Sequence, residues 1–260
     1  MATPAQPAPF SAERRQQILN ALRTDGRLDA ADLAVRLGVT GETIRKDLIQ
    51  LERSGLLRRV HGGAVPVEQL SYEPAVSART EFAAEKIRIA RAALAHLPAQ
   101  GSILIDAGST TAQLAEILPG DVELTVYTNA LSVALALVSR PRLTIFTLGG
   151  RLRSRTLAEV DDFAVRALAE INVDVAFLGT NGISLERGLT TPDPAEAAVK
   201  RLMLGAAQQR IFLVDHSKIG LVRGSRHAEI GDMDLLITDD GLAAEQRQAL
   251  EASGVRVQRV

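Results

Sequence analysis

Cysteine and tryptophan are both absent from the 260-residue chain. Without a thiol there can be no disulfide, no thiolate nucleophile and no Cys-built metal site. Histidine is nearly as scarce: four scattered residues do not assemble a metal centre, and none is expected. Aromatics make up only 3% of the chain, so the core must be aliphatic, which suits Val-, Ile- and Leu-rich parallel strands. No apolar run approaches the length that crosses a bilayer, and the opening "MATPAQPAPF" has neither a basic n-region nor an apolar h-region. These absences point to a cytoplasmic protein with no membrane partner. A large charge excess is missing too, since the formal net charge is −1.

That balance hides an asymmetry. Between Ser11 and His61 ten basic residues stand against seven acidic ones, so this stretch is net positive and the remainder net negative. Residues 1–10 are rich in Pro and Ala and read as a disordered tail. Three helical signals follow. Ser11 opens a helix that carries Ile18, Leu19 and Leu22 inward and stops near Gly26. Asp29 caps a second, with Leu33 and Leu37 on one face and Gly38 closing it. Thr40 caps the third, "TGETIRKDLIQLE", whose Ile44, Leu48 and Leu51 recur at i, i+4 and i+7 as one buried stripe. "RSGLLRRVHGGAV" then reads as a small hairpin. Residues 64–80 mix prolines and polar side chains without a period and read as a linker, leaving a head over 11–63 and a second domain over 81–260.

With that stripe inward, Glu42, Thr43, Lys46 and Gln50 face outward and Arg45 lies on the flank. Thr, Lys and Gln near a helix start offer donors and acceptors to base edges, while Arg and Lys neutralise phosphates. The tight Leu37–Thr40 turn completes a helix-turn-helix, whose second helix enters the major groove of double-stranded DNA. Arg58, Arg59 and His61 on the hairpin would reach flanking backbone or the minor groove. The same spacing also fits a small helical subdomain with a solvated charged face.

Beyond Glu81 the pattern changes to alternating strand and helix. Strands are expected over 103–106, 124–128, 143–148, 175–178, 211–215 and 235–238, and helices over 112–118, 131–139, 163–170 and 195–209. Such alternation argues for parallel βαβ units in a doubly wound sheet. Several strands run into polar turns ("DAGSTT", "TNA", "LGG", "LGTNG", "DHSK"), where ligands of open α/β sheets bind. In "ILIDAGSTTAQLAEIL" the helix start directs backbone N–H groups at an anion, with Ser109, Thr110 and Thr111 adding hydroxyls or merely capping the helix. No Walker lysine and no G-x-G-x-x-G appear, so neither a nucleotide nor another cofactor is expected. Gly149 and Gly150 fit a tight turn. Glu196 and Lys200 stand at i, i+4, which is also the spacing of an ordinary surface ion pair. Arg151, Arg153 and Arg155 form a basic run, either simply exposed or a lid on an anion pocket.

"ERRQQIL" and "LAVRLGVTGETIRKDLIQLERSGLLRRVHGGA" resemble the N-terminal signature of DeoR-family bacterial transcription regulators, over Glu13 to Ala64. Lys46 stands where that family more often has Arg, and Gly41 sits early in the helix. "DAGSTT", "YTNAL", "LGG", "GLTTPDPAEAAVKRLM" and "VDHSKIG" are similar to the family's effector domain, over Ala83 to Asp239. The resemblance implies a winged helix-turn-helix followed by a larger Rossmann-like α/β domain similar to ribose-5-phosphate isomerase and glucosamine-6-phosphate deaminase. It implies a repressor with no catalytic residue, DNA contacts from Thr40 through the wing, and a phosphorylated sugar as effector. Asp106, Gly108, Ser109, Thr110 and Thr111 then become the phosphate and hydroxyl loop, and Asn129, Gly149 and Gly150 line neighbouring strand ends. Asn181, Glu196, Lys200, Asp215 and Lys218 would surround the sugar. "SYEPAVSART" and "GLTTPDPAEAAVKR" look most like the branch that accompanies fructose-utilisation genes, which makes fructose 1-phosphate the first expectation. Paired heads about 34 Å apart require a homodimer or homotetramer. The alternative is a sugar-phosphate isomerase or deaminase fused to a DNA-binding domain, with Asp106, Glu196 and Asp215 as candidate carboxylates. A purely structural DNA-binding protein would leave the polar strand-end turns unexplained.

Overall fold

The computed structural model describes residues 11–25, 27–54, 56–66, 70 and 73–260; the expected tail at 1–10, the stop at Gly26, part of the expected linker and the side chain of Arg58 lie outside the described residues. The chain forms two units, the first ending at Pro74 and the second running from Ala75 to Val260.

In the first unit, helices α1 (Ser11–Asp25), α2 (Ala30–Arg36) and α3 (Gly41–Arg53) stand where the periodicity expects them. Asp29 Oδ1 accepts hydrogen bonds from the amides of Ala31 (2.8 Å) and Asp32 (3.3 Å), and Thr40 Oγ1 accepts one from Thr43 N (3.2 Å). These caps satisfy amides that a helix start leaves without partners. Ile44, Leu48 and Leu51 pack with Ile18, Leu22 and Leu33 in the aliphatic core. The wing has three strands, β1 (Leu28–Asp29), β2 (Arg58–Val60) and β3 (Gly63–Val65), in the order β1-β3-β2. β1 is too short to show a period, and β3 continues past the expected boundary at residue 63. Gly63 faces Asp29 across the β1–β3 ladder, and a Cβ there would lie 1.8 Å from Leu28 O. Close backbone approach is what this glycine permits.

The second unit opens with α4 (Ala83–Ala93). It continues through β4 (Gly101–Ile105), α5 (Ser109–Ile117), β5 (Leu124–Thr128), α6 (Leu131–Leu137), β6 (Leu143–Thr147), the hairpin β7 (Arg151–Arg153) and β8 (Ala158–Val160), and α7 (Asp162–Ala169). Then come β9 (Val173–Leu178), β10 (Gly182–Ser184), β11 (Gly188–Thr191), α8 (Pro194–Ala206), β12 (Ala207–Leu213), β13 (Ser225–Ala228), β14 (Leu235–Thr238), α9 (Ala244–Ala252) and β15 (Arg256–Arg259). Seven strands form one sheet in the order β15-β14-β12-β9-β4-β5-β6, and every pairing in it is parallel. Alternate side chains serve opposite faces. Leu104, Ala176, Phe212 and Leu236 join the core under α7, α8 and α9, while Ile103, Val126, Phe177 and Ile211 join the core under α4, α5 and α6. The expected doubly wound sheet is therefore present.

Several boundaries differ from expectation, most of all where α8 meets β12. α8 ends at Ala206 and β12 begins at Ala207 with no loop between them, because Ala207 and Gln209 pair with Val173 and Val175 of β9. Asp106 and Asp215 lie just past their strands, in the turns. Among the described residues no helix is long and apolar enough to cross a membrane. From β4 the chain winds outward to β5 and β6, then returns to β9 on the other side of β4. The β4–β9 crevice is thus the topological switch point of the sheet, the place where open α/β folds bind ligands.

Candidate nucleic-acid interface and anion site

On α3, Glu42, Arg45 and Lys46 are exposed, while Thr43 and Gln50 are half-buried. Thr43 is less available than the helical pattern suggests: besides its capped amide, its Oγ1 lies 2.9 Å from Thr40 Oγ1. Arg45 is not a loose flank residue either, since Nε and Nη2 donate to Glu42 at 2.8 and 3.1 Å. That pair raises the arginine pKa and holds the Glu42 carboxyl below its usual range. The wing is tied to the helix through Arg59, whose amide and Nε donate to the two Glu52 oxygens at 2.9 Å each. His61 is exposed at the hairpin turn beside Gly62, whose φ of 79° is left-handed, and Arg58 supplies backbone to β2. Asp47 points the other way: it is buried and takes Arg14 Nε at 2.5 Å, bracing α1 against α3.

In the second unit the switch-point crevice holds a buried charge cluster. Lys200 reaches from α8 to donate to Asp106 Oδ2 and, at 3.0 Å, to Gly179 O. Gly179 N donates to the same Asp106 oxygen at 3.0 Å. Asp106 Oδ1 is buried with no hydrogen-bond partner among the described residues. Burial pushes the Asp106 carboxyl up, against the pull of the Lys200 ammonium. Glu196, one turn before Lys200, accepts from Arg153 Nη1 and from Thr156 Oγ1 at 2.5 Å; Thr191 Oγ1 bonds Asn181 Oδ1 at 3.0 Å and approaches Glu196 Oε2 at 3.5 Å. Glu196 and Lys200 are therefore not a surface i, i+4 pair. Both are buried and each takes a different partner. The basic run also divides: Arg153 is inside, bridging Glu196 and Asp193, whereas Arg151 is exposed and pairs with Asp161 at 2.6 Å.

The "DAGSTT" turn is braced from within. α5 has no side-chain cap, so the bland capping role of its hydroxyls is not realised. Thr111 is fully buried and donates to Gly108 O at 3.1 Å, and Thr110 is buried as well, leaving Ser109 as the half-buried hydroxyl of the turn. Asn129 Oδ1 accepts from Ala107 N at 3.0 Å, which makes this buried amide a strut under the turn. Gly149 N donates to Glu159 Oε2 at 2.7 Å, and Gly150 lines an open cleft of about 630 Å³ with Arg151, Asp161, Asp162 and Phe163. None of Asp106, Glu196 and Lys200 lines that cleft.

After β12, Asp215 is buried and accepts from Ser217 N (3.2 Å) and Ser217 Oγ, and Lys218 Nζ donates to Ser217 Oγ at 3.1 Å. His216 is tied to Asp239 through Nδ1 at 2.6 Å and through its amide at 2.8 Å. Lys86 of α4 is buried nearby, within electrostatic reach of Asp215 and Lys218, and burial lowers it to about 8. His227 is buried too, with Nε2 3.0 Å from Thr180 Oγ1, and burial holds it well below the usual histidine range. Thr156, Lys86 and His227 belong to no motif singled out in the sequence, and the stretches that contain Arg153, Thr180 and Thr191 do not show what these side chains touch. Only the fold brings them to these places. Among the described residues no group of His, Cys, Asp and Glu could hold a metal ion.

Two family models match the chain, the DeoR-like helix-turn-helix domain over residues 14–70 and the DeoR C terminal sensor domain over residues 81–240. The HTH-type transcriptional regulator GlpR of Haloferax volcanii is 37% identical, over 95% of this chain and 96% of that one. The putative aga operon transcriptional repressor of Escherichia coli O157:H7 is 33% identical, over 95% and 93%. The uncharacterized HTH-type transcriptional regulator FruR of Bacillus subtilis is 33% identical, over 88% and 92%. Among solved structures, ribose 5-phosphate isomerase A of Methanocaldococcus jannaschii superposes with a TM-score of 0.38 at 18% identity, over 52% and 53%. With a DNA-reading head and a sensor domain both matched along nearly its full length, the chain belongs to the DeoR family of helix-turn-helix transcriptional regulators.

Proposed function

We propose that this regulator represses sugar-catabolism genes and leaves its operator when a phosphorylated sugar, fructose 1-phosphate in the first instance, occupies the β4–β9 crevice. The observation that carries this reading is the unpartnered Asp106 Oδ1 at the switch point. A buried carboxylate oxygen without a donor is costly, and a sugar hydroxyl would supply one. Lys218 and the uncapped start of α5 offer the cationic and N–H groups that a phosphate takes. Ser109 and Asn181 follow the ends of β4 and β9, where the buried Lys200 bonds Asp106 and Gly179, with Glu196 one turn earlier on α8.

In the head we assign base contacts to Thr43, Lys46 and Gln50, with Arg45, Arg58, Arg59 and His61 on phosphates, and we take residues 11–63 as the reading domain and 81–260 as the sensor. Two heads held by a dimer or tetramer would meet half-sites one helical turn apart. The names of the similar regulators, GlpR, FruR and an aga operon repressor, point to different genes, so a panel of compounds is the fitting test. Fluorescence anisotropy of the full chain on DNA from its own upstream region, at fixed salt, is titrated with fructose 1-phosphate, other sugar phosphates and glycerol phosphate. Release by one compound at micromolar concentration supports the reading and names the effector. Lys218→Ala should then stay on the operator in its presence. Tight binding that no compound alters would sink the effector half of the proposal.

A further inference from the structure

The stretch Ala75–Lys86 opens the second unit and leads into α4. It is seated on two loops that bound the proposed effector site. At one end, Val76 N donates to Arg155 O at 2.7 Å. Arg155 lies in the β7–β8 turn, and Thr156 of that turn and Arg153 at the end of β7 both bond Glu196 Oε1. At the other end, the Phe82 ring stands edge-on to His216, with centroids 4.9 Å apart and planes at 80°. His216 belongs to the turn that carries Asp215 and Lys218.

The seat is strained. Phe82 has φ 57° and ψ 35°, the left-handed region that a side chain resists. Such a conformation persists only where the surroundings over-determine it, and here they do. Lys86 N donates to Phe82 O at 3.0 Å, and the Lys86 ammonium closes over the turn by donating to Arg79 O (2.9 Å) and Glu81 O (2.7 Å). That ammonium is buried and within electrostatic reach of both Asp215 and Lys218. An anion settling on Lys218, or a hydroxyl competing for Glu196, would redraw bonds on the loops that hold both ends of the stretch.

We propose that Ala75–Lys86 is the transmission element of this regulator: occupation of the sugar-phosphate site shifts the β7–β8 turn and the Asp215–Lys218 turn, and the strained Phe82 turn passes that shift to the chain leading to the DNA-binding head. The proposal rests on the effector site assigned above. It satisfies the requirement that an effector distinguish two states through contacts that differ between them.

Two full-length variants test it. Phe82→Gly removes the ring and relieves the left-handed strain, and Lys86→Met keeps bulk but loses both donors to the turn. Each should bind operator DNA within about threefold of wild type and keep its thermal stabilisation by the compound that releases wild type. The ratio of operator Kd with and without that compound should fall by about tenfold. An unchanged ratio in both variants overturns the proposal. A second measurement needs no effector. In Glu196→Gln, amide hydrogen exchange at Val76 and Lys86 should speed up by about tenfold, while Arg247 N, bonded to Ala243 O in the first turn of α9, stays as in wild type. No change at Val76 and Lys86 also overturns it. If no compound releases wild type, the effector assignment fails separately, and the exchange measurement still decides whether the stretch is coupled to the site.

Discussion

The Lys200 ammonium donates to one carboxylate oxygen of Asp106 across the β4–β9 crevice, and the other oxygen of Asp106 has no partner among the described residues. Both side chains are buried, so neither charge can be stranded cheaply. Removing one partner of a buried pair costs about 3–5 kcal/mol. Lys200→Met is therefore expected to lower the unfolding free energy in urea by about 3 kcal/mol, and Asp106→Asn by a similar order. The double variant should recover part of the loss, because it strands neither charge; a coupling of about 1–3 kcal/mol is expected from the cycle. Strictly additive losses would show that the two groups do not act as a pair.

His216 and Lys86 should give opposite pH dependences. The hydrogen bond with Asp239 raises the His216 pKa, with burial opposing it. A histidine raised in the folded state contributes stability in full below its unfolded value of about 6.5, and that contribution is lost as pH rises through the raised value. The difference in Tm between wild type and His216→Gln should therefore be largest near pH 6, about the unfolded value, and shrink in the alkaline range. Lys86 runs the other way, because burial lowers it from 10.5 to about 8. The unfolded chain then binds the extra proton between those values, so stability from this group rises across that window. Lys86→Met should flatten the rise in a series of melts from pH 8 to 10.5. A slope identical to that of wild type would show that the Lys86 ammonium is not depressed in the folded protein.

What was legible in the chain was local. Thr40 and Asp29 cap the helices their positions suggest, and the Ile44–Leu48–Leu51 stripe is buried as its period requires. The strands of the seven-stranded sheet that carry continuous apolar runs could be read directly. β15 could not, because three of the four residues of "RVQR" are polar at a sheet edge, and neither could β10, β11 and β13, each three or four residues long. The candidate site was half readable for the same reason. Asp106, Glu196, Lys200 and Asp215 come from turns and a helix start with recognisable patterns. Arg153 reaches Glu196 across 43 residues and Arg14 reaches Asp47 across 33, and no spacing encodes such contacts. Thr111 shows the converse: a hydroxyl in a suggestive turn bonds a carbonyl of its own loop.

Two glycines of the head should respond oppositely to alanine. A methyl at Gly63 would stand 1.8 Å from Leu28 O, so β1 must separate from β3. Overpacking against backbone is expected to cost about 2 kcal/mol or more, and operator binding should fall with it, since Asp29 both pairs with Gly63 and caps α2. Gly41 opens α3 with nothing within 4 Å of an added methyl. Gly41→Ala should leave the fold intact or stabilise it by a few tenths to about 1 kcal/mol. Equal losses at both positions, read by chemical denaturation, would mean that the β1–β3 approach does not limit Gly63.

On the proposed DNA-facing side of α3, Arg45 would meet a phosphate in competition with Glu42. The pair is bidentate, at 2.8 and 3.1 Å, yet both side chains are more than half exposed, and such surface pairs are worth little. A DNA phosphate, carrying a full charge in a screened but counterion-rich groove, can therefore take the guanidinium away at small cost. Arg45→Ala is expected to weaken operator binding by about tenfold and to reduce the slope of log K against log salt by about 1, with the sugar-phosphate response retained. Glu42→Gln removes the competing carboxylate and its repulsion of phosphate. It should raise affinity for unrelated DNA by about threefold at low salt, and so narrow the margin between operator and random sequence. Anisotropy on both DNAs across a salt series measures all four quantities. If Arg45→Ala left affinity and slope unchanged while Glu42→Gln did nothing to random DNA, α3 would not be lying in the groove through this face.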